Sequence, residues 1–184
     1  MLSFNNLKIW AGLILAHILL SFPNAYCQYH QEWLNRFNSG YNNWGSCGNK
    51  IAIDNSGNIY VAGFVNGETN TTDYALVKYT SSGQQIWGRT YNGTGNNQDI
   101  VYSLALDNHN NAYISGASKG SGTAFDCVTI KYDTSGNLIW LKSYDYGVGK
   151  NDYSRVVKCF NNYVYVCAIS INADDKDNYL LIKY

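Results

Sequence analysis

The chain is poor in proline, histidine and charge, and each shortage closes off a class of reading. Its single proline, Pro23, lies near the N-terminus, so every later segment keeps the backbone donors that a β ladder needs. Lysine plus arginine number 13 against 13 aspartate plus glutamate, together 14% of residues, and no basic block stands out. That excludes the electrostatic footprint of a nucleic-acid binder. Only His30 and His109 lie beyond the N-terminal segment, so no Ser/His/Asp or Cys/His set can be assembled from matching positions. No cysteines take the CxxC spacing of a metal site. Gly93-Thr-Gly95 precedes a strand pattern rather than a helix, so it lacks the helix N-terminus that would hold a phosphate. No catalytic residue, metal or cofactor is therefore assigned, and the chain is read as not an enzyme.

The first 27 residues differ from the rest. Lys8 precedes a run of 14 mostly apolar residues from Ile9 to Phe22, and Ala25-Tyr-Cys27 follows before Gln28. This order reads as a secretory signal peptide over 1–27, with cleavage after Cys27. The run falls short of the roughly 20 residues that span a bilayer, so no membrane span is expected in the mature chain 28–184. A retained anchor, or a lipid on Cys27, is the alternative; Tyr26 stands where lipid-bearing signals carry a small residue. The product is expected to be secreted or held at the cell surface or periplasm. Cys47, Cys127, Cys159 and Cys167 remain, and buried free thiols are expected there, with disulfides left open by export.

What the chain has is repetition. Asp54-Asn-Ser-Gly-Asn-Ile-Tyr-Val-Ala-Gly63 returns as Asp107-Asn-His-Asn-Asn-Ala-Tyr-Ile-Ser-Gly116, and Val77-Lys-Tyr79 returns as Ile130-Lys-Tyr132 and Ile182-Lys-Tyr184. Trp33, Trp87 and Trp140 are 54 and 53 residues apart. The pattern predicts about three tandem units of some 53 residues, over 33–79, 87–132 and 140–184. In the second unit four short strands are predicted, at 103–107, 112–116, 126–132 and 138–144, separated by Gly, Asn, Asp and Ser. Asp-x-Ser-Gly-Asn is turn chemistry: the carboxylate accepts backbone N–H groups and the glycine takes a positive φ. In the third unit Cys159-Phe-Asn-Asn-Tyr163 replaces that turn. Four-stranded antiparallel units at this period predict an all-β, β-propeller-type fold.

The wording of the repeat points the same way. Ile51-Ala-Ile-Asp-Asn-Ser-Gly-Asn-Ile-Tyr-Val-Ala-Gly63, Asp73-Tyr-Ala-Leu-Val-Lys-Tyr79 and Ile86-Trp-Gly-Arg-Thr-Tyr91 resemble the bacterial seven-bladed β-propeller repeat of the SBBP type over residues 30–184. The resemblance implies an exported or surface protein of bacteria whose blades are not themselves enzymes. Three units are fewer than the four to eight blades that close a ring. The chain is thus expected to lack further C-terminal blades or to complete a ring as a homo-oligomer. Glu32-Trp-Leu-Asn-Arg-Phe37 is expected to be the outer strand that the third unit lacks.

The connections after second and fourth strands are long and variable and are expected to emerge on one face, where repeat proteins bind. On that face Tyr41, Trp44, Asp99, Tyr146 and Asp152 are the candidate ligand-binding residues, for a protein or glycan partner. The expected function is a non-catalytic binding or scaffold module. The alternatives are a lyase or glycan hydrolase using Asp99 and Asp152, or a truncated piece of a longer propeller. Asp99 and Asp152 also read as loop-capping carboxylates, and the acidic run Ala173-Asp-Asp-Lys-Asp177 reads as a solvated loop.

Overall fold

The computed structural model describes residues 31–37, 40, 45–68, 71–122, 124–147 and 149–184. Chain contacts divide it into Met1–Glu32, which lies almost wholly outside the described residues, and Trp33–Tyr184. The second unit is all-β, with eleven strands and no helix among the described residues. Tyr41, Trp44, Cys27 and the rest of the segment 1–27 expected to be a signal peptide lie outside the described residues.

Three antiparallel sheets form in chain order. β1 (Cys47–Ile53), β2 (Ile59–Asn66), β3 (Thr72–Tyr79) and β4 (Gln85–Tyr91) make the first, and β5 (Asp99–Leu106), β6 (Ala112–Lys119), β7 (Phe125–Tyr132) and β8 (Leu138–Tyr144) the second. β9 (Asp152–Phe160), β10 (Tyr163–Ile171) and β11 (Asp177–Lys183) make a three-stranded third. Each is a meander, so each strand pairs with the next along the chain. The first sheet packs on the second and the second on the third, chiefly through β5 and β9.

The sequence accounts for the strands through period-two burial. β10, Tyr-Val-Tyr-Val-Cys-Ala-Ile-Ser-Ile, buries every second residue, as a strand with one covered face does. β6 is buried on both faces because its sheet lies between two others, and it meets that demand with Ser115, Gly116, Ala117 and Ser118. Ser115 Oγ lies 2.8 Å from Thr129 Oγ1 and donates to Val128 O at 3.1 Å, which satisfies a hydroxyl with no access to water. Two apolar layers result. Tyr60, Tyr74, Leu76 and Trp87 meet Val101, Ile114, Val128 and Ile130 between the first two sheets. Tyr113, Cys127 and Trp140 meet Val157, Val164, Val166 and Ala168 between the second and third. Each fully buried large side chain contributes about 1.5–3 kcal/mol.

The turns form as their residues dictate. At Asp54, Asp107 and Asp133 one carboxylate oxygen accepts the N–H groups two and four residues on, all at 2.8–2.9 Å. Gly57, Gly83 and Gly136 take φ of +79, +85 and +81, and Asn110 takes +61 in the same place. Burial disfavours the charge on Asp54 and Asp107, but the bonds from Asn58 and Asn111 outweigh it, and both carboxyls lie below their ordinary range.

Three expectations are corrected. Cys159 lies within β9, because the third unit turns on Asn161-Asn162 alone, both at positive φ as a tight two-residue hairpin requires. The innermost strand that the Ile51-Ala-Ile-Asp54 wording predicts starts instead at Cys47, because a bulge at Asn49 hides the alternation. Residues 33–37 do not pair as a strand with the third sheet. They lie against the first, where Trp33 Nε1 donates to Ser81 O at 3.2 Å and the Asn35 amide donates to Gly83 O. The turn carbonyls satisfy those donors where they stand. Among the described residues the four cysteines are free thiols, yet only Cys127 of them is buried and Cys47 is exposed. Cys159 and Cys167 are half-buried, Cys159 packing toward the second sheet and Cys167 pairing across from Leu181.

Candidate functional site

A meander places alternate connections at opposite ends of its sheet, so the tight turns gather at one end and the long connections at the other. The long ones are tied to one another. Lys119 N donates to Gln98 O at 3.0 Å, joining the β4–β5 connection to the end of β6. Asn151 links the next two: its side-chain oxygen accepts from Phe125 N at 2.9 Å and its carbonyl accepts from Ile171 N at 3.1 Å. Lys150 pairs with Asp175 across to the β10–β11 connection. In that connection Asn172 Oδ1 accepts from Asp174 N and Lys176 N, both at 3.0 Å, which forms the turn of the acidic run.

Asp99 and Asp152 sit beneath these loops, each fully buried. Asp99 Oδ2 accepts from Gly93 N at 2.7 Å and Asp152 Oδ2 accepts from Tyr146 N at 2.8 Å, so each holds the connection that precedes its strand. Their Oδ1 atoms have no hydrogen-bond partner. Each acts electrostatically on another carboxylate. Asp73 feels Asp99, and Asp126 feels Asp152, so two acidic pairs stand one period apart. Tyr146 is 49% exposed on the same face and is the candidate within reach of a ligand. No group of three metal-ligating side chains occurs among the described residues, and these contain no helix long and apolar enough to cross a membrane.

The electrostatics of this end are those of acids held from water. Burial, with Asp99 and Glu68 nearby, pushes Asp73 up to about 6. Burial likewise raises Asp99, and raises Asp126 with help from Asp145 and Asp152. Folded Asp73 therefore keeps a proton that the unfolded chain releases near 3.8. Its contribution to stability is present below the unfolded value and is lost as pH rises through about 6. Asp73→Asn is expected to raise Tm by roughly 3–6 °C at pH 7.5, with the gain vanishing near the unfolded value. A scanning-calorimetry series across pH reads this, and an equal gain at every pH would refute the assignment.

Sequence reasoning missed one row. Each first strand of a sheet bulges at the same place, with Asn49, Tyr102 and Arg155 as the extra residues, 53 apart. Asn49 Nδ2 donates to Val101 O at 3.0 Å, and the Arg155 guanidinium lies 5.6 Å from the Tyr102 ring and 5.9 Å from that of Tyr153. An amide, a phenol and an exposed guanidinium in line can meet a polar ligand. The even spacing alone signals the row. His109 lies in a tight turn at the opposite end from the long loops, where its backbone N–H bonds Asp107.

In comparisons with known proteins, no family model and no curated protein matches the chain.

Proposed function

We propose that the chain is an exported β-propeller module of the SBBP type that binds a protein or a glycan across the end where its long connections gather, without a covalent step. Export is inferred from the N-terminal segment, and the propeller from successive meander sheets stacked in chain order at a period near 53. The observation that carries the binding reading is the cross-tying of the long connections through Gln98, Asn151 and Lys150. Loops held to one another present fixed groups, and binding to fixed groups costs less ordering entropy than binding to free loops. Tyr146 supplies an exposed aromatic surface there.

A glycan and protein array combined with an activity screen on the same panel tests this. The expected result is binding without turnover, weakened about 5–30-fold by Tyr146→Ala. Turnover abolished by Asp99→Asn would instead establish the hydrolase or lyase alternative.

A further inference from the structure

A cross-strand Tyr/Lys pair stands at the matching place on one face of every sheet, although in the third the ammonium lies closer still, 3.5 Å, to the Tyr163 ring. Tyr60 lies opposite Lys78, Tyr113 opposite Lys131 and Tyr165 opposite Lys183. Each ammonium lies over its ring, 4.8, 5.1 and 5.7 Å from the centroid. In the first sheet this pair meets the second: Lys78 Nζ donates to Thr134 O at 3.2 Å and Tyr60 OH to Asn110 O at 3.3 Å. In the third sheet the same face is open, with Leu181 58% and Tyr179 76% exposed.

At the other end of the stack, the first sheet also turns an apolar face outward. Ile51 and Ile53 are 68% and 64% exposed, and a groove of about 720 Å³ runs past Ile51, Val61, Trp33 and Phe37. Half of a junction is already seated there. Trp33 and Asn35 donate to Ser81 O and Gly83 O as Trp87 and Arg89 donate to Thr134 O and Gly136 O on the second sheet. Residues 33–37 thus hold the place on the first sheet that β4 holds on the second. The third sheet, meanwhile, ends at β11 with no fourth strand beside it among the described residues.

We propose that a second copy of this chain docks head to tail on these faces. The third sheet of one copy packs its Tyr165–Lys183 face on the Ile51 face of the next, whose residues 33–37 lie along β11 as its fourth strand. Lys183 then donates to Ser81 O as Lys78 donates to Thr134 O, and the open ladder edge of β11 is paired. The junction is heterologous, and it either closes a ring or continues as a filament. Counting the three sheets of the described residues, two copies bring six, within the four to eight that close a propeller, whereas three bring nine. The assembly is a closed pair. That copy number rests on the propeller reading; the junction itself rests on the repeated contacts.

The chain is expressed full length and purified as the host processes it, and its mass is measured by light scattering across a dilution series. The expected result is twice the chain mass. Ile51→Asp and Leu181→Asp lie on different outer faces, and each is expected to give a monomer with unchanged far-UV circular dichroism. A monomeric unsubstituted chain, an open-ended polymer, or a dimer dissociated by only one variant or by neither would overturn the proposal. Ligand binding by a monomeric unsubstituted chain would sink this inference and leave the proposed function standing. A pair that both variants dissociate but that binds nothing on the array would do the reverse.

Discussion

Trp87→Ala is expected to cost about 3–5 kcal/mol, the largest loss of any single substitution considered, and to leave the first two sheets poorly joined. Trp87 is 7% exposed between them, its ring edge-on to Tyr60 at 5.9 Å and its Nε1 donating to Thr134 O at 3.0 Å. Truncation removes a large buried surface, opens a cavity and strips one donor from a carbonyl it shares with Lys78. Trp33 makes the matching bond to Ser81 but is 39% exposed, so Trp33→Ala should cost about 1 kcal/mol or less. Urea denaturation of the two variants measures the contrast. Equal losses would mean that the indole bond, rather than burial between sheets, holds Trp87 in place.

Gly136→Ala is expected to cost about 2–4 kcal/mol, through two separate causes. Gly136 has φ +81, which an alanine adopts at a cost of about 1–2 kcal/mol. An added Cβ would also stand 2.8 Å from Trp87 Cδ2, closer than carbon atoms approach, so the indole would have to leave its bond to Thr134. Gly57 separates the two causes. Its φ is +79, but its added Cβ would meet only Ser81 Cβ at 3.6 Å, an ordinary contact. Gly57→Ala should therefore show the backbone strain alone. A double-mutant cycle of Trp87→Ala with Gly136→Ala tests the second cause, since removing the indole should relieve the clash and make the pair less than additive. Strict additivity would refute the steric part.

Much of this was legible along the chain. β8 runs from Leu138 to Tyr144, the bounds its sequence pattern predicts, because a short run rich in aliphatic and aromatic residues is closed there by turn residues on both sides. The Asp-x-x-Gly-Asn turns were legible for the same local reason: the carboxylate and the positive-φ residue lie within five positions of each other. Spacing also marked Asp99 and Asp152 as equivalent, and each does sit at the base of a long connection.

What spacing could not show was depth and neighbour. Asp99 reads in the sequence as a ligand-binding candidate or a loop-capping carboxylate; it does hold its loop, yet it is sealed, because burial depends on which loop folds over it and not on its own neighbours in the chain. Asp73, whose carboxyl it helps to raise, comes from the preceding sheet across 26 residues of sequence. The destination of residues 33–37 was decided in the same way. Their apolar and aromatic character suits a strand edge or a sheet face equally, and only the packed first sheet offers Ser81 O and Gly83 O to the donors of Trp33 and Asn35. Local chemistry, written in residues within a few positions of one another, determined the strands, the turns and their repetition. Contacts between residues some 50 positions apart decided which faces are covered and which stay open, because burial is a property of the whole fold.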